Sequence, residues 1–158
     1  MKQRVLFLCI GNSCRSQMAE GFARVYGHDV IDVVSAGLSP AMLVDLNSKA
    51  VMGERGISLE DQFPKPLEQA LTPVPNLLIN MSGSSVPHFA SEIPSEVWRV
   101  RDPVGEVLGV HREVRDQVEN LVMNLILRLR QRKAAASPAA GPESRPAETK
   151  RIKAGRMV

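Results

Sequence analysis

Cysteine is scarce in this chain: Cys9 and Cys14 are the only two among 158 residues. A disulfide framework or a structural zinc site needs more, and His28, His88 and His111 are scattered without zinc-like spacing. Reduced thiols, a cytoplasmic location, no structural metal and no cofactor are therefore expected. Long apolar runs are also missing, and nothing approaches the roughly 18 residues of a membrane span. Lys2 and Arg4 ahead of Val5 to Ile10 resemble a short signal-peptide core, but Gly11 to Arg15 interrupt it and no small-residue cleavage site follows. Basic charge is missing from most of the chain, despite the overall +3. From Arg130 onward eight Lys/Arg face only Glu143 and Glu148, a net of +6, which leaves −3 for Met1 to Leu129. The high pI therefore says nothing of a nucleic-acid-binding face on the fold, and neither nucleic acid nor a membrane is expected as a partner.

What is present is enough for one compact domain with a real core. Arg4 to Cys9 is an unbroken apolar run, as in a strand buried on both faces of a parallel sheet. Met18, Phe22, Val25 and Tyr26 repeat at helical spacing over Ser13 to Tyr26, and Gly27 closes that helix. A second strand is expected over Val30 to Val34, ending at Ser35-Ala36-Gly37, with a helix from Leu43 through Arg55. Val74 to Met81 reads as the third strand, Ser84 to Ser91 as a short helix or loop, and Val97 to Val100 as the fourth strand. The last helix, about Gly109 to Arg132, carries one apolar stripe through Val110, Val114, Val118, Leu121, Val122, Leu125 and Leu129. Alternating strands and helices predict an α/β fold: a single doubly wound, four-stranded parallel sheet with helices on both faces, over residues 1–132. Lys133 to Val158 is Ala, Pro, Ser and charge, and is expected to be a disordered tail.

The chemistry concentrates at the first strand-to-helix turn, Cys9-Ile10-Gly11-Asn12-Ser13-Cys14-Arg15-Ser16. Such a turn gathers free backbone N–H groups and a helix dipole at the carboxyl end of a strand, where an oxyanion binds. Gly11 permits close backbone approach, and Asn12 tolerates a left-handed conformation. Arg15 can fork two N–H bonds to a tetrahedral oxyanion, and the same positive environment favours Cys9 as a thiolate nucleophile. Ser16 can donate to that thiolate. Ile10, Gly11, Asn12, Ser13, Cys14 and Arg15 are the expected substrate-binding residues.

The loop resembles the signature of the low-molecular-weight protein tyrosine phosphatase family, which includes thioredoxin-coupled arsenate reductases. The resemblance runs on through Ser35-Ala36-Gly37, Met52-Gly53-Glu54-Arg55-Gly56-Ile57 and Asp102-Pro103, about Lys2 to Arg132 in all. It implies a phosphocysteine formed at Cys9, with Asp102 as the acid that protonates the leaving oxygen and then the base that activates water. Arg15 and the loop amides would stabilise the equatorial oxygens, with no metal.

Two departures bear on the substrate. Phosphotyrosine-specific members carry aromatic residues just after the Asp-Pro, where Val104-Gly105 stand here. Thioredoxin-coupled reductases carry two further cysteines after the third strand, where this chain has Met81-Ser82-Gly83-Ser84-Ser85 and no thiol. The sequence therefore ranks a phosphomonoester hydrolase first, acting on a phosphorylated protein or a small phosphomonoester. An arsenate reductase that resolves its Cys9 adduct with an external small thiol, such as glutathione or mycothiol, comes second. A non-catalytic phosphate-binding module comes third. Cys14 is either a partner for Cys9 in a reversible disulfide or a small buried apolar residue. Trp98 is expected to pack at a strand end.

Overall fold

A computed structural model describes residues 1–136. Four parallel strands, β1 (Gln3–Cys9), β2 (Ile31–Gly37), β3 (Leu77–Asn80) and β4 (Ser95–Val97), lie in the order β2-β1-β3-β4. Three α-helices, α1 (Arg15–Tyr26), α2 (Leu46–Gly53) and α3 (Leu108–Ala136), connect or follow them. Pairing runs from Gln3↔Ile31 to Cys9↔Gly37 on one side of β1 and from Val5↔Leu77 to Leu8↔Asn80 on the other. The strand order reverses at β1, so the crevice at its carboxyl end is the switch point where open α/β sheets bind ligands.

Period-two alternation divides β1 between two cores. Val5, Phe7 and Cys9 face a large cluster with Met18, Phe22 and Ala23 of α1 and Val114, Val118, Val122 and Leu125 of α3. Leu6 and Leu8 face a smaller cluster, closed by Leu67, Ala70 and Ala90 from two short 3-10 turns, Leu67–Ala70 and His88–Ala90. The central run is apolar throughout because both faces are covered. Trp98 packs on Phe7, ring centroids 5.7 Å apart.

Several boundaries differ from the sequence reading for local reasons. The second helix begins at Leu46 instead of Leu43, because the Asp45 carboxylate accepts from Ser48 N at 2.9 Å and caps it. Met42 and Leu43 stay exposed outside it. β3 starts at Leu77 instead of Val74: Pro75 has no N–H to give a ladder, and Asn76 clips the chain to β1 through its own N–H and side chain, both to Arg4. β4 ends at Val97 rather than Val100, although Trp98 N still donates to Asn80 O at 3.0 Å. α3 continues one turn past the expected end at Arg132, to Ala136. The remainder of the expected tail lies outside the described residues. Glu54, just past α2, takes Arg112 and Arg115 of α3, and those hydrogen bonds hold its carboxyl down at about 2.

Candidate active site

Cys9 ends β1, and the chain turns back beneath it before α1 begins at Arg15. The turn is possible because Asn12 takes φ 52°, the left-handed conformation that Asn tolerates best after Gly. Its backbone N–H is then directed at Cys9 Sγ, 3.2 Å away, and Ser16 Oγ lies 2.8 Å from the same sulfur. Both groups are within hydrogen-bonding reach of the sulfur. The first N–H groups of α1 have no carbonyl within their own helix and add the positive end of its dipole.

The Asn12 side chain holds the strained turn from behind. Its Nδ2 donates to Ser16 Oγ at 2.7 Å and to Ser35 Oγ at 3.0 Å, and its Oδ1 accepts from Lys65 N at 3.0 Å. Ser35 Oγ donates onward to Glu20 Oε1, and Gln17 Nε2 donates to Asn12 O. Lys65 Nζ donates to the carbonyls of Ser35 and Phe63; burial pushes its ammonium below the ordinary lysine range, with Glu20 opposing. Ser35, Glu20, Gln17 and Lys65 are not among the site residues expected from the sequence, although Ser35 lies in a segment that carries the family resemblance. Nothing in their spacing shows that they meet.

Gly37 belongs to the same brace. A β-carbon there would sit 2.6 Å from the Ile10 carbonyl oxygen and 3.0 Å from Asn12 N, both backbone atoms of the loop. Gly37→Ala is expected to cost about 1–3 kcal/mol of stability, the usual range for forced overpacking. It should also lower oxyanion affinity by displacing the loop. Urea unfolding and phosphate titration of that variant check both effects.

Arg15 is almost fully buried, with Nη1 donating to Met81 O at 2.7 Å and Val100 O at 3.3 Å. Nη2 lies 3.5 Å from Asp102 Oδ2, and Nε is a buried donor with no partner among the described residues. The guanidinium is thus fixed from one side and keeps donors for an oxyanion on the other. Cys9, Ile10, Gly11, Ser13, Cys14, Arg15, Asp102, Ala41 and Val104 enclose a cavity of about 230 Å³. Asn12 and Ser16 stand behind it. The fold brings Cys9 to Ser16 and Asp102 together, and among the described residues no aromatic side chain lines the cavity.

Cys14 is buried and unpaired. Burial, only partly offset by the neighbouring Ser48 hydroxyl, pushes its thiol up to about 12, so at neutral pH it is protonated. The sign of the consequence follows from linkage. Below pH 9 both folded and unfolded chains keep the proton; between about 9 and 12 only the unfolded chain loses it, so stability falls as pH rises. Over that window the loss is on the order of 4 kcal/mol. Urea unfolding from pH 8 to 11 should show this decline, and Cys14→Ser should flatten it.

A profile of the family described as low molecular weight phosphotyrosine protein phosphatase matches residues 4–135. The chain is 38% identical over 118 residues to the glutaredoxin arsenate reductase of Synechocystis sp., covering 73% of this chain and 89% of that protein. A solved arsenate reductase in the phosphate binding state superimposes with a TM-score of 0.73 at 39% identity, covering 82% of this chain and 99% of the other. The YwlE arginine phosphatase of Geobacillus stearothermophilus shares the fold, with a TM-score of 0.75 at 23% identity over 85% and 97% of the two chains.

Proposed function

The chain belongs to the low molecular weight phosphotyrosine protein phosphatase family, and within it we propose that it is an arsenate reductase whose Cys9 is the sole nucleophile, with an external small thiol as reductant. The observation that carries this reading is a cavity with Cys9 and Arg15 in its wall and, among the described residues, no aromatic side chain lining it to hold a phosphotyrosine ring. The arsenate reductases among its relatives support the same choice. On these grounds the order in which the sequence ranks reductase and phosphatase is reversed.

The Cys9 thiolate attacks arsenic, an S–As bond forms, and one oxygen leaves as water after Asp102 supplies a proton. Arg15 and the loop N–H groups hold the remaining oxygens. A glutathione thiolate then attacks Cys9 Sγ; the electron pair of the S–As bond passes to arsenic, which departs as arsenite. A second thiol reduces the Cys9–glutathione mixed disulfide. Two thiols are oxidised to one disulfide, arsenic gains two electrons, and one water is released. Cys14 is a poor substitute for the external thiol, because its thiolate is scarce with the proton held up to about 12.

The second reading is a phosphomonoester hydrolase, supported by an Asp102 carboxylate that is half-exposed over the cavity and could protonate an ester oxygen. Arsenite formation in the presence of glutathione, with and without glutaredoxin, is the test, run beside hydrolysis of para-nitrophenyl phosphate. Arsenite release dependent on Cys9 and on the added thiol supports the reductase. Ester hydrolysis with no arsenite gives the phosphatase, and tight phosphate binding with neither activity gives a binding module.

A further inference from the structure

At Cys14, where the loop meets α1, three donor atoms from distant parts of the chain converge. Cys14 Sγ, a carboxylate oxygen of Asp45 and a ring nitrogen of His111 all lie within 4.8 Å of one another. Cys14 precedes α1, Asp45 caps α2 and His111 stands in the first turns of α3. His111 is completely buried. Its Nδ1 is 3.1 Å from the Val107 carbonyl, an acceptor only, so that nitrogen carries the ring proton. Nε2 lies 3.0 Å from Asp45 Oδ2 and, buried, has no hydrogen-bond partner among the described residues. Ser48 Oγ, also completely buried and without a hydrogen-bond partner, adjoins the Cys14 thiol.

We propose that Cys14, Asp45 and His111 bind a divalent transition metal, with Zn²⁺ the best match. Thiolate, imidazole and carboxylate are the donor set of tetrahedral zinc, and the sulfur and nitrogen donors disfavour Mg²⁺ and Ca²⁺. The Val107 carbonyl on Nδ1 is the outer contact that fixes a metal-binding tautomer. Ser48 or a water completes four-coordination. Binding exchanges the Cys14 S–H bond for an S–metal bond, releases one proton to solvent and changes no oxidation state. The occupied site ties the loop to α2 and α3 and withholds Cys14 from any bond with Cys9. It is independent of whether arsenate or a phosphoester is turned over.

The test is titration of Co²⁺ into the full chain carrying Cys9→Ser, where Cys14 is the sole thiol, read by thiolate-to-cobalt charge-transfer absorption. Saturation at one equivalent, with release of a proton and displacement by Zn²⁺, is the expected result. Asp45→Asn keeps a capping oxygen for α2, and it and His111→Gln should each weaken the metal by at least about tenfold. Cys14→Ser should abolish the band. No band up to millimolar Co²⁺ would overturn the proposal, and so would a band of unchanged midpoint in both Asp45→Asn and His111→Gln, since Cys14 would then bind the ion without them. Retention of the apo melting temperature by Asp45→Asn separates lost coordination from lost folding.

Discussion

Cys9→Ser is expected to reduce turnover roughly 10⁶-fold, the scale on which removal of a covalent nucleophile acts. The Asn12 N–H and the Ser16 hydroxyl both reach Cys9 Sγ, where they can donate to a thiolate nucleophile. A serine hydroxyl at that position stays protonated at neutral pH and has no base within its hydrogen-bonding shell. Oxyanion binding should survive, because Arg15, the loop amides and the brace behind Asn12 are untouched. Single-turnover rates paired with calorimetric phosphate titration separate the two effects. A Cys9→Ser protein that still turned over would remove the nucleophile from the scheme.

Asp102→Ala is expected to lower kcat by about 10²–10⁴-fold, the usual contribution of a positioned general acid. The carboxylate is placed by two contacts, Val104 N donating to Oδ1 at 3.1 Å and Arg15 Nη2 at 3.5 Å from Oδ2. Neither would be lost to the substrate through a change in affinity, so KM should move little. Because the acid matters most where the departing oxygen is most basic, the deficit should be larger for phenyl phosphate than for para-nitrophenyl phosphate. An equal deficit for the two esters would assign Asp102 to orienting Arg15 instead.

The cavity wall was legible in the sequence because most of it is contiguous. A strand, a tight loop and a helix start are read residue by residue, and Cys9 to Ser16 needs no knowledge of the rest of the chain. α3 was legible for a similar reason, its stripe repeating over many turns. The brace was not. Asn12 meets Ser35 across β1 and β2, and Lys65 arrives from a segment with no regular pattern, so these partnerships exist only once the sheet has formed. The start of α2 carried its signal in Asp45, but the apolar Leu43 and Val44 drew the periodicity earlier. The three-residue β4 has too few positions for any alternation to be read. The Leu67–Ala70 turn, which closes one face of the sheet, is likewise too short to announce itself.

The sole tryptophan of the chain, Trp98, packs at a tilt against Phe7, two residues before Cys9, and lines a groove shared with Arg15 and Met81. An indole held there is an intrinsic optical probe. Its emission reports on the wall of the cavity from inside the protein, with no competing tryptophan signal and only Tyr26 as a second fluorophore. Rapid-mixing fluorescence can therefore time oxyanion entry, adduct formation and product departure as separate phases on the unlabelled enzyme.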